Sequence, residues 1–487
     1  ESYKDLLKQI ESRHLDTVKE LIPVQQQSSV LSMVKRYCNE IEDICNGIFL
    51  LGESSSRTKD KLVSYGELLS STIINAAFNV NGTASLWKDA RELIRTNSNY
   101  SNAVVDFTVT NLQVNAFIKS SSQALIVVPG FIASDSNHVT TTLGRGGSDY
   151  TASILAAAVD ATALEIWTDV SGMMTADPRW VPNAKIIPSI SYQEAMELSH
   201  FGAKVIYPPT IQPVLNKNIP VWIKNTFAAA DHGTVIEHKP EPENIITGIS
   251  SINSLALLSL EGSGMIGIPG FSSRLFAALA NAQINVILIT QGSSEHSICV
   301  GVDVSLAGKA KEIVDRTFEY EIATSKVEPL QLEKDLSIVA LVGDQMRHHT
   351  GISGRMFSAL GRNGINIRAI AQGSTERNIS AVVATEDVRK AVNVLHEEFF
   401  ETTKKQVNLY IVGTGNVGKK LLAQLKQQQS FLEKHLRLQV NIAGLSNSRK
   451  MLINENGIDL NHWDELLQNG ETANLEKFVH SILHKNL

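Results

Sequence analysis

The chain opens with two stretches whose apolar residues return at helical spacing. Leu7, Ile10, Val18 and Leu21 mark a first helix. Val30, Val34, Tyr37, Ile41, Ile44 and Ile48 fall on one stripe of a second, close to the 3.6-residue period. Residues 60–78 read as a third helix, with Glu67 as an acid inside an otherwise apolar segment. That acid is either a helix-surface charge or a carboxylate turned inward toward a cationic ligand. Beyond it the pattern changes to short apolar runs, at 124–128, 163–168 and 221–226, which predict buried strands. Helical segments at 154–159 and 192–198 alternate with them. Strands alternating with helices over residues 1–235 predict an α/β domain with a mainly parallel sheet. The polar, proline-containing stretch around 230–246 predicts a linker, with 236–246 as its span between domains.

An internal repeat follows. Arg274-Leu275-Phe276-Ala277-Ala278-Leu279 matches Arg355-Met356-Phe357-Ser358-Ala359-Leu360 at an offset of 81 residues. The same offset pairs Ile284-Asn285-Val286 with Ile365-Asn366-Ile367, and Gln291-Gly292-Ser293 with Gln372-Gly373-Ser374. Each copy reads strand, helix, strand, strand, helix, a split βαβ (ferredoxin-like, α+β) pattern. The copies span 247–330 and 331–404. Two such copies pack into one unit.

From residue 405 to 487 the character changes again. Leu409-Tyr410-Ile411-Val412 predicts a strand, and Gly413-Thr414-Gly415-Asn416-Val417-Gly418 opens a helix. This is the G-x-G-x-x-G spacing in its strand–turn–helix setting, the start of a Rossmann domain that binds NAD(H) or NADP(H). Gly413 serves the tight turn, Gly415 the approach to pyrophosphate with Asn416 and Val417 beside it, and Gly418 the helix–strand packing. The second strand, near 438–443, leads to Arg449 and Lys450 rather than to an acid. Two cations there suit the 2′-phosphate of NADP.

Composition narrows the classes. A formal net charge of −6 argues against general nucleic-acid binding. No apolar run approaches the ~18 residues a bilayer span requires, and the polar start is not a signal peptide. The three cysteines, Cys38, Cys45 and Cys299, show no metal spacing and read as buried thiols of a reducing cytoplasm.

The strongest candidate chemistry lies in Leu143-Gly144-Arg145-Gly146-Gly147-Ser148-Asp149. Three glycines in four positions let backbone N–H groups approach a ligand closely. Ser148 is placed to cap the helix that follows, whose N-terminus favours an anion. Arg145 adds a planar fork suited to a carboxylate or phosphate. A capped turn with a surface arginine would use the same residues. Thr168 and Asp169 fall at the carboxyl end of a predicted parallel strand, where ligands bind in such sheets.

These stretches, with Trp167-Thr168-Asp169-Val170, Ser191-Tyr192-Gln193-Glu194-Ala195-Met196-Glu197-Leu198 and Phe201-Gly202-Ala203-Lys204-Val205, closely resemble aspartate kinases. The duplicated modules look like the paired ACT domains of that family. A Rossmann start directly after them is similar to the bifunctional aspartokinase–homoserine dehydrogenases. The resemblance implies phosphoryl transfer from MgATP to the β-carboxylate of L-aspartate, which needs positioning and charge neutralisation more than covalent chemistry. It implies that Arg145 grips a substrate carboxylate while Glu67 and Asp149 hold the ammonium, with Ser148 beside them. Thr168, Asp169, Met174, Arg179 and Lys204 would contact the nucleotide, Lys204 and Asp169 carrying the catalytic roles. Gln291 and Gln372, with Asn285 and Asn366 nearby, would bind an effector amino acid, threonine by the bifunctional precedent. They could equally satisfy turn backbones. ACT modules usually pair along sheet edges, which implies a homodimer or homotetramer.

Three departures stand out. The family's N-terminal Lys-Phe-Gly-Gly-Thr-Ser strand is absent here, and the dehydrogenase is cut short, so the expectation is a piece of a larger protein with little activity in either reaction. Met174 stands where the family usually has tyrosine. Tyr207-Pro208-Pro209 stands where it usually has His-Pro-Arg. A non-catalytic amino-acid-binding protein with a degenerate kinase fold is the rival reading. A single-function aspartokinase with an unrelated tail would require the 409–450 pattern to be accidental.

Overall fold

The computed structural model describes residues 3–202, 206–240, 244–292, 296–373, 377–401, 405–435, 438–454 and 457–484. They form two units, Glu1–Phe400 and Glu401–Leu487, taken separately here.

The first unit begins with helices α1 (Tyr3–Leu21), α2 (Gln27–Leu51) and α3 (Ser56–Val80). Val18, Ile22, Val34, Cys38, Leu69 and Ile73 interlock in their shared core, so the predicted apolar stripes face one another. Ser55 caps α3, its Oγ accepting from the Thr58 N–H at 3.1 Å. Nine short strands follow: β1 (Ser85–Trp87), β2 (Arg95–Thr96), β3 (Leu125–Val127), β4 (Ile132–Asp135), β5 (Thr140–Thr142), β6 (Leu164–Thr168), β7 (Ser189–Ser191), β8 (Val221–Asn225) and β9 (Thr234–Glu237). Between them lie α4 (Phe107–Ser120), α5 (Gly147–Ala158), α6 (Tyr192–His200) and α7 (Gln212–Leu215). Parallel ladders join β1 to β3, β2 to β4, β6 to β8 and β7 to β9. The expected parallel character is present, but the strands fall into sheets of two, three and four. Among the described residues β3 pairs only with β1, and β6 only with β8.

β9 corrects the predicted start of the linker. Thr234 and Ile236 are buried while Val235 and Glu237 are half-buried, and the strand closes the four-stranded sheet between β8 and β7. Polar neighbours on both sides hid this short alternation.

One buried carboxylate fixes α3 to the centre of this domain. Asp60, 1% exposed, accepts from the N–H groups of Ser101 and Thr142, each at 2.9 Å, and from their hydroxyls at 3.3 and 3.0 Å. It thereby holds the 99–103 loop and the end of β5 against the helix that carries Glu67.

The repeat copies form one six-stranded antiparallel sheet. The first contributes β10 (Gly248–Glu261), β11 (Leu288–Gln291) and β12 (Ser297–Asp303), with α8 (Phe271–Asn281), α9 (Ala307–Thr317) and α10 (Glu319–Ala323). The second contributes β13 (Gln331–Val342), β14 (Ala369–Gln372) and β15 (Asn378–Ala384), with α11 (Ile352–Arg362) and α12 (Val388–Phe400). Their order is β11-β12-β10-β13-β15-β14, with β10 and β13 paired at the centre. The outer strands β11 and β14 approach within 8 Å, so the sheet curls around Leu255, Leu257, Leu288, Leu336, Ile338 and Val382. The repetition extends to the backbone, since Ser254 and Asp335 sit at matching positions with φ of 65° and 59°. It also explains the repeated arginine. Arg274 pairs with Glu321, donates to the Thr317 carbonyl at 2.7 Å and lies 4.4 Å over the Phe318 ring. Arg355 pairs with Glu398, donates to the Glu398 carbonyl at 2.8 Å and lies 4.5 Å over Phe399. In both copies the first helix is stapled to the end of the second.

The second unit contains β16 (Lys405–Val412), α13 (Asn416–His435) and β17 (Leu438–Ser446), with β16 and β17 parallel. β18 (Lys450–Ile453) then turns back antiparallel to β17 and pairs with β19 (Glu471–Thr472). Helices α14 (Trp463–Gln468) and α15 (Leu475–His484) complete it.

Replacing Asp60 by alanine leaves the buried Thr142 N–H and hydroxyl, and the Ser101 N–H at the edge of the loop, without their acceptor. The expected cost is about 3 kcal/mol of unfolding free energy, read from a shift of the urea midpoint. A loss below about 1 kcal/mol would show that water replaces the carboxylate there.

Candidate active site

β5 delivers the chain to the glycine loop. The Leu143 N–H donates to the Phe131 carbonyl at 3.0 Å, and the Phe131 N–H donates to Thr151 Oγ1 on α5 at 2.9 Å. The loop is therefore fastened at both ends. The expected serine cap is corrected here. Gly146, at φ 68°, occupies the cap position with no side-chain bond, and Ser148 is already the second residue of α5. A left-handed cap selects glycine on conformational grounds, and a Cβ at Gly146 would also stand 2.8 Å from Tyr207 Cβ. Ser148 is thus released from capping, and its exposed hydroxyl faces a cavity.

That cavity, about 340 Å³, is lined by Glu67, Phe131, Gly144, Gly146, Gly147, Ser148 and Asp149. Three residues predicted from separate stretches, Glu67 on α3 and Ser148 and Asp149 on α5, thus meet around one space. Neither the Glu67 nor the Asp149 carboxylate has an ion-pair partner among the described residues, and burial raises the pKa of each. Arg145, between two lining glycines, is exposed and without an ion pair among the described residues. Its guanidinium lies 5.9 Å over the Tyr207 ring. Tyr207, one of the departures noted in the sequence, thus lies under the Arg145 guanidinium. Two unpaired carboxylates and an unpaired guanidinium at a helix N-terminus are complementary to an amino acid with its own charges.

A second group gathers at the carboxyl end of β6. Thr168 ends the strand, and its Oγ1 donates to Asp169 Oδ1 at 3.2 Å. Ser171 donates to Asp231 at 2.5 Å and accepts from Asn225 Nδ2 at 2.9 Å. Sequence reasoning missed these three polar residues, because Asn225 and Asp231 are brought to Ser171 only by the β6–β8 pairing. Met174 sits in a hairpin, bridged to Ile186. Arg179 differs from its expected role as a free nucleotide contact. It is 82% exposed, and its guanidinium is spent on Asp177 two residues away, at 3.0 and 2.6 Å. That bond holds the Asp177 carboxyl below its ordinary range. Lys204 lies outside the described residues.

In the ACT pair, Gln291 and Gln372 end β11 and β14, the two strands that approach each other. Both are exposed, as are Asn285 and Asn366, and Gln372 Oε1 accepts from Ser353 Oγ at 3.2 Å. The Gly-Ser turns at 293–295 and 374–376 lie outside the described residues. In the second unit, Gly413 has φ 98° and its N–H donates to the Ser446 carbonyl at 2.7 Å. A Cβ at Gly418 would collide with the Gly413 carbonyl, so this turn accepts only glycine there. Gly415 leads into α13, which Asn416 and Val417 begin, with Val417 exposed. The expected cation pair is divided: Arg449 is exposed, whereas Lys450 Nζ donates to the Gly470 carbonyl at 2.9 Å. The strand turn at β18 captures Lys450, an outcome its sequence neighbours do not reveal.

Among the described residues no helix is long and apolar enough to cross a membrane, and no cluster of three metal-binding side chains occurs.

Fold and site together define an amino acid kinase domain followed by two ACT domains. The amino acid kinase family matches residues 4–225, and the ACT domain matches residues 258–318 and 339–399. The lysine-sensitive aspartokinase 3 of Escherichia coli is 33% identical over 368 residues, 74% of this chain and 81% of that protein. The chain belongs to the aspartokinase family. The bifunctional aspartokinase/homoserine dehydrogenase 1 of Zea mays, a chloroplastic protein, is 36% identical over 489 residues, 99% of this chain and 53% of that one. The bifunctional enzyme of Haemophilus influenzae is 39% identical over 431 residues, 88% of this chain and 52% of that one. The chain thus spans about half the length of these bifunctional relatives. Among solved structures, E. coli aspartokinase III in complex with aspartate and ADP superposes with a TM-score of 0.69 at 29% identity, covering 82% of this chain and 87% of that one.

The raised carboxyls give the cavity a pH signature. Glu67 and Asp149 keep their protons to higher pH than exposed acids, so an ammonium between them finds both counter-charges only above those raised values. Binding of L-aspartate should strengthen as pH rises through that range and weaken as it falls. Glu67→Gln should lower affinity at neutral pH by on the order of tenfold and flatten the profile. Calorimetric titration across pH checks both, and a flat profile in the unsubstituted chain would count against the arrangement.

Proposed function

We propose that the chain carries the aspartate kinase half of a bifunctional aspartokinase/homoserine dehydrogenase. The reaction joins a β-carboxylate oxygen of L-aspartate to the γ-phosphorus of MgATP and releases ADP, giving aspartyl phosphate. The observation that carries this reading is the cavity where Glu67, Asp149 and Ser148 meet beside Arg145. The two carboxylates take the substrate ammonium, Arg145 takes a carboxylate, and the first turn of α5 favours the remaining negative charge. Thr168 and Asp169 stand on the nucleotide side, with Lys204 assigned to phosphate charge through the family resemblance. Mg²⁺ arrives on the nucleotide. Asp169, whose carboxylate is exposed and engaged by the described residues only through Thr168, fits the pattern of one carboxylate plus phosphates and water.

Threonine is our choice of effector, held where Gln291 and Gln372 end the two converging strands, with Asn285 and Asn366 close in sequence. Residues 405–487 open the NADP-binding domain of the dehydrogenase, the fit resting on the Gly413–Gly418 turn and exposed Arg449. Assembly is through the ACT sheet, as a homodimer or homotetramer, and the protein works in a reducing compartment such as the cytoplasm.

The split between β3 and β6 and the capture of Arg179 by Asp177 favour a second reading, an amino-acid-binding protein with a degenerate kinase fold. Calorimetry separates the two, because a kinase site binds MgATP and a degenerate one binds only the amino acid. For this chain by itself the expected phosphoryl transfer is weak or absent, since two parallel strands beside the site each leave an edge unpaired among the described residues. Trapping aspartyl phosphate with hydroxylamine measures it. Turnover equal to that of a complete aspartokinase would overturn the expectation.

A further inference from the structure

One buried carboxylate is shared between the kinase domain and the ACT pair. Ser191 and Glu194 form a capping box at the start of α6. The Glu194 N–H donates to Ser191 Oγ at 3.1 Å, and the Ser191 N–H donates to Glu194 Oε2 at 3.0 Å. A cap needs only that one carboxylate oxygen. The other, Oε1, accepts from two groups outside the helix: the Asp344 N–H at 2.8 Å, on the turn after β13, and the Thr247 hydroxyl, just before β10. Ser191 Oγ also donates to the Asp344 carboxylate, whose other oxygen pairs with Arg377 at 2.9 Å. Farther along α6, Glu197 accepts from Asn378 Nδ2 at 2.7 Å, and the Leu198 carbonyl accepts from Ser250 Oγ at 3.2 Å.

The segment leading into α6 also packs on the second ACT copy. Thr175 Oγ1 and His396 Nε2 of α12 lie 3.0 Å apart in the interior. Asn393 Nδ2 donates to the Trp180 carbonyl at 2.9 Å. Ala176 and Val181 are built into the core of the second copy. This hairpin carries Met174 and Arg179 and runs directly into β7 and α6.

We propose that Glu194 is a positioning residue that couples the ACT pair to the nucleotide side of the site without touching the nucleotide. The proposal rests on the kinase reading above. A displacement of the Asp344 turn must either break the Oε1 bonds or carry α6 with it. Because Glu194 is buried, breaking them leaves a buried carboxylate oxygen without its donors, and moving the helix is the less costly response.

Glu194→Gln tests this. The amide is isosteric and still acts as a cap residue, but it has one acceptor oxygen where the carboxylate has two. It can serve the helix or the Asp344 turn, not both. Affinity of the 487-residue chain for MgADP is measured by calorimetry with and without saturating L-threonine. In the unsubstituted chain L-threonine should change MgADP affinity by roughly 5- to 150-fold. In Glu194→Gln that factor should fall toward one, while affinity for L-threonine alone stays within about twofold. A purely structural role would lower the thermal midpoint and leave the factor in place. Asp344→Gly, which keeps the N–H and deletes the Ser191 contact, should reduce the factor by less. Coupling of full size in Glu194→Gln overturns the proposal, as does an unsubstituted chain that binds both ligands without coupling. A chain that binds no MgADP overturns the kinase reading instead.

Discussion

Asp60 is the constraint on which the amino-acid side of the site depends. Its carboxylate gathers four donors from two segments distant in sequence, the two from Thr142 buried with it. α3 is thereby locked in rotation and in height against the end of β5. Glu67 lies seven residues, two helical turns, farther along, on the same side of α3. The glycine loop begins immediately after β5. One buried acid therefore sets the distance between Glu67 on one element and Asp149 on another, and the raised pKa of both acids follows from the enclosure this creates.

The group proposed for the nucleotide is built differently. Its residues stand on the end of β6 and on a hairpin whose apolar tip contributes Ala176 and Val181 to the second ACT core. This second group therefore has an added support on the regulatory sheet that the glycine loop lacks. α5 and β6 nevertheless share one core, through Ala156, Leu164 and Met173, so a shift of the hairpin is felt inside the kinase domain as well.

Legibility in the sequence followed the range of the interactions. Helical stripes, the strand ends at Thr168 and Gln291, and the repeat were readable because they depend on spacing alone. The cap at α5 was misplaced by two residues, because a left-handed glycine can occupy the position that local preference gives to serine. Sequence pattern assigns Arg179 to the nucleotide and Lys450 to a 2′-phosphate, yet each has a protein partner, Asp177 and the Gly470 carbonyl, reached through turns whose shape no spacing rule supplies. Glu194 stood in plain view within a Ser-x-x-Glu pattern. Its cap was readable in principle, whereas its second set of bonds joins residues 150 and 53 positions away. Asp60 carried no local signal, since a lone acid on a helix looks like surface until its partners are known.

The repeat itself carries the last step. The copies share their sheet pairing, their left-handed residues and their arginine staples, so symmetry alone would predict symmetric outputs. The cores break it. That of the first copy is drawn from residues 256–332 alone, whereas that of the second takes in Ala176, Val181 and Trp180. The long antiparallel ladder between β10 and β13 joins the copies rigidly at the centre, while β11 and β14 meet at the opposite edge. Both copies touch the kinase, the first through Ser250 on β10 and the second through the Asp344 turn, but only the second adds α12 and a shared core to that contact. Duplication thus supplies a sheet with two matching halves, and what is built around it makes the second half the more deeply joined to the kinase domain.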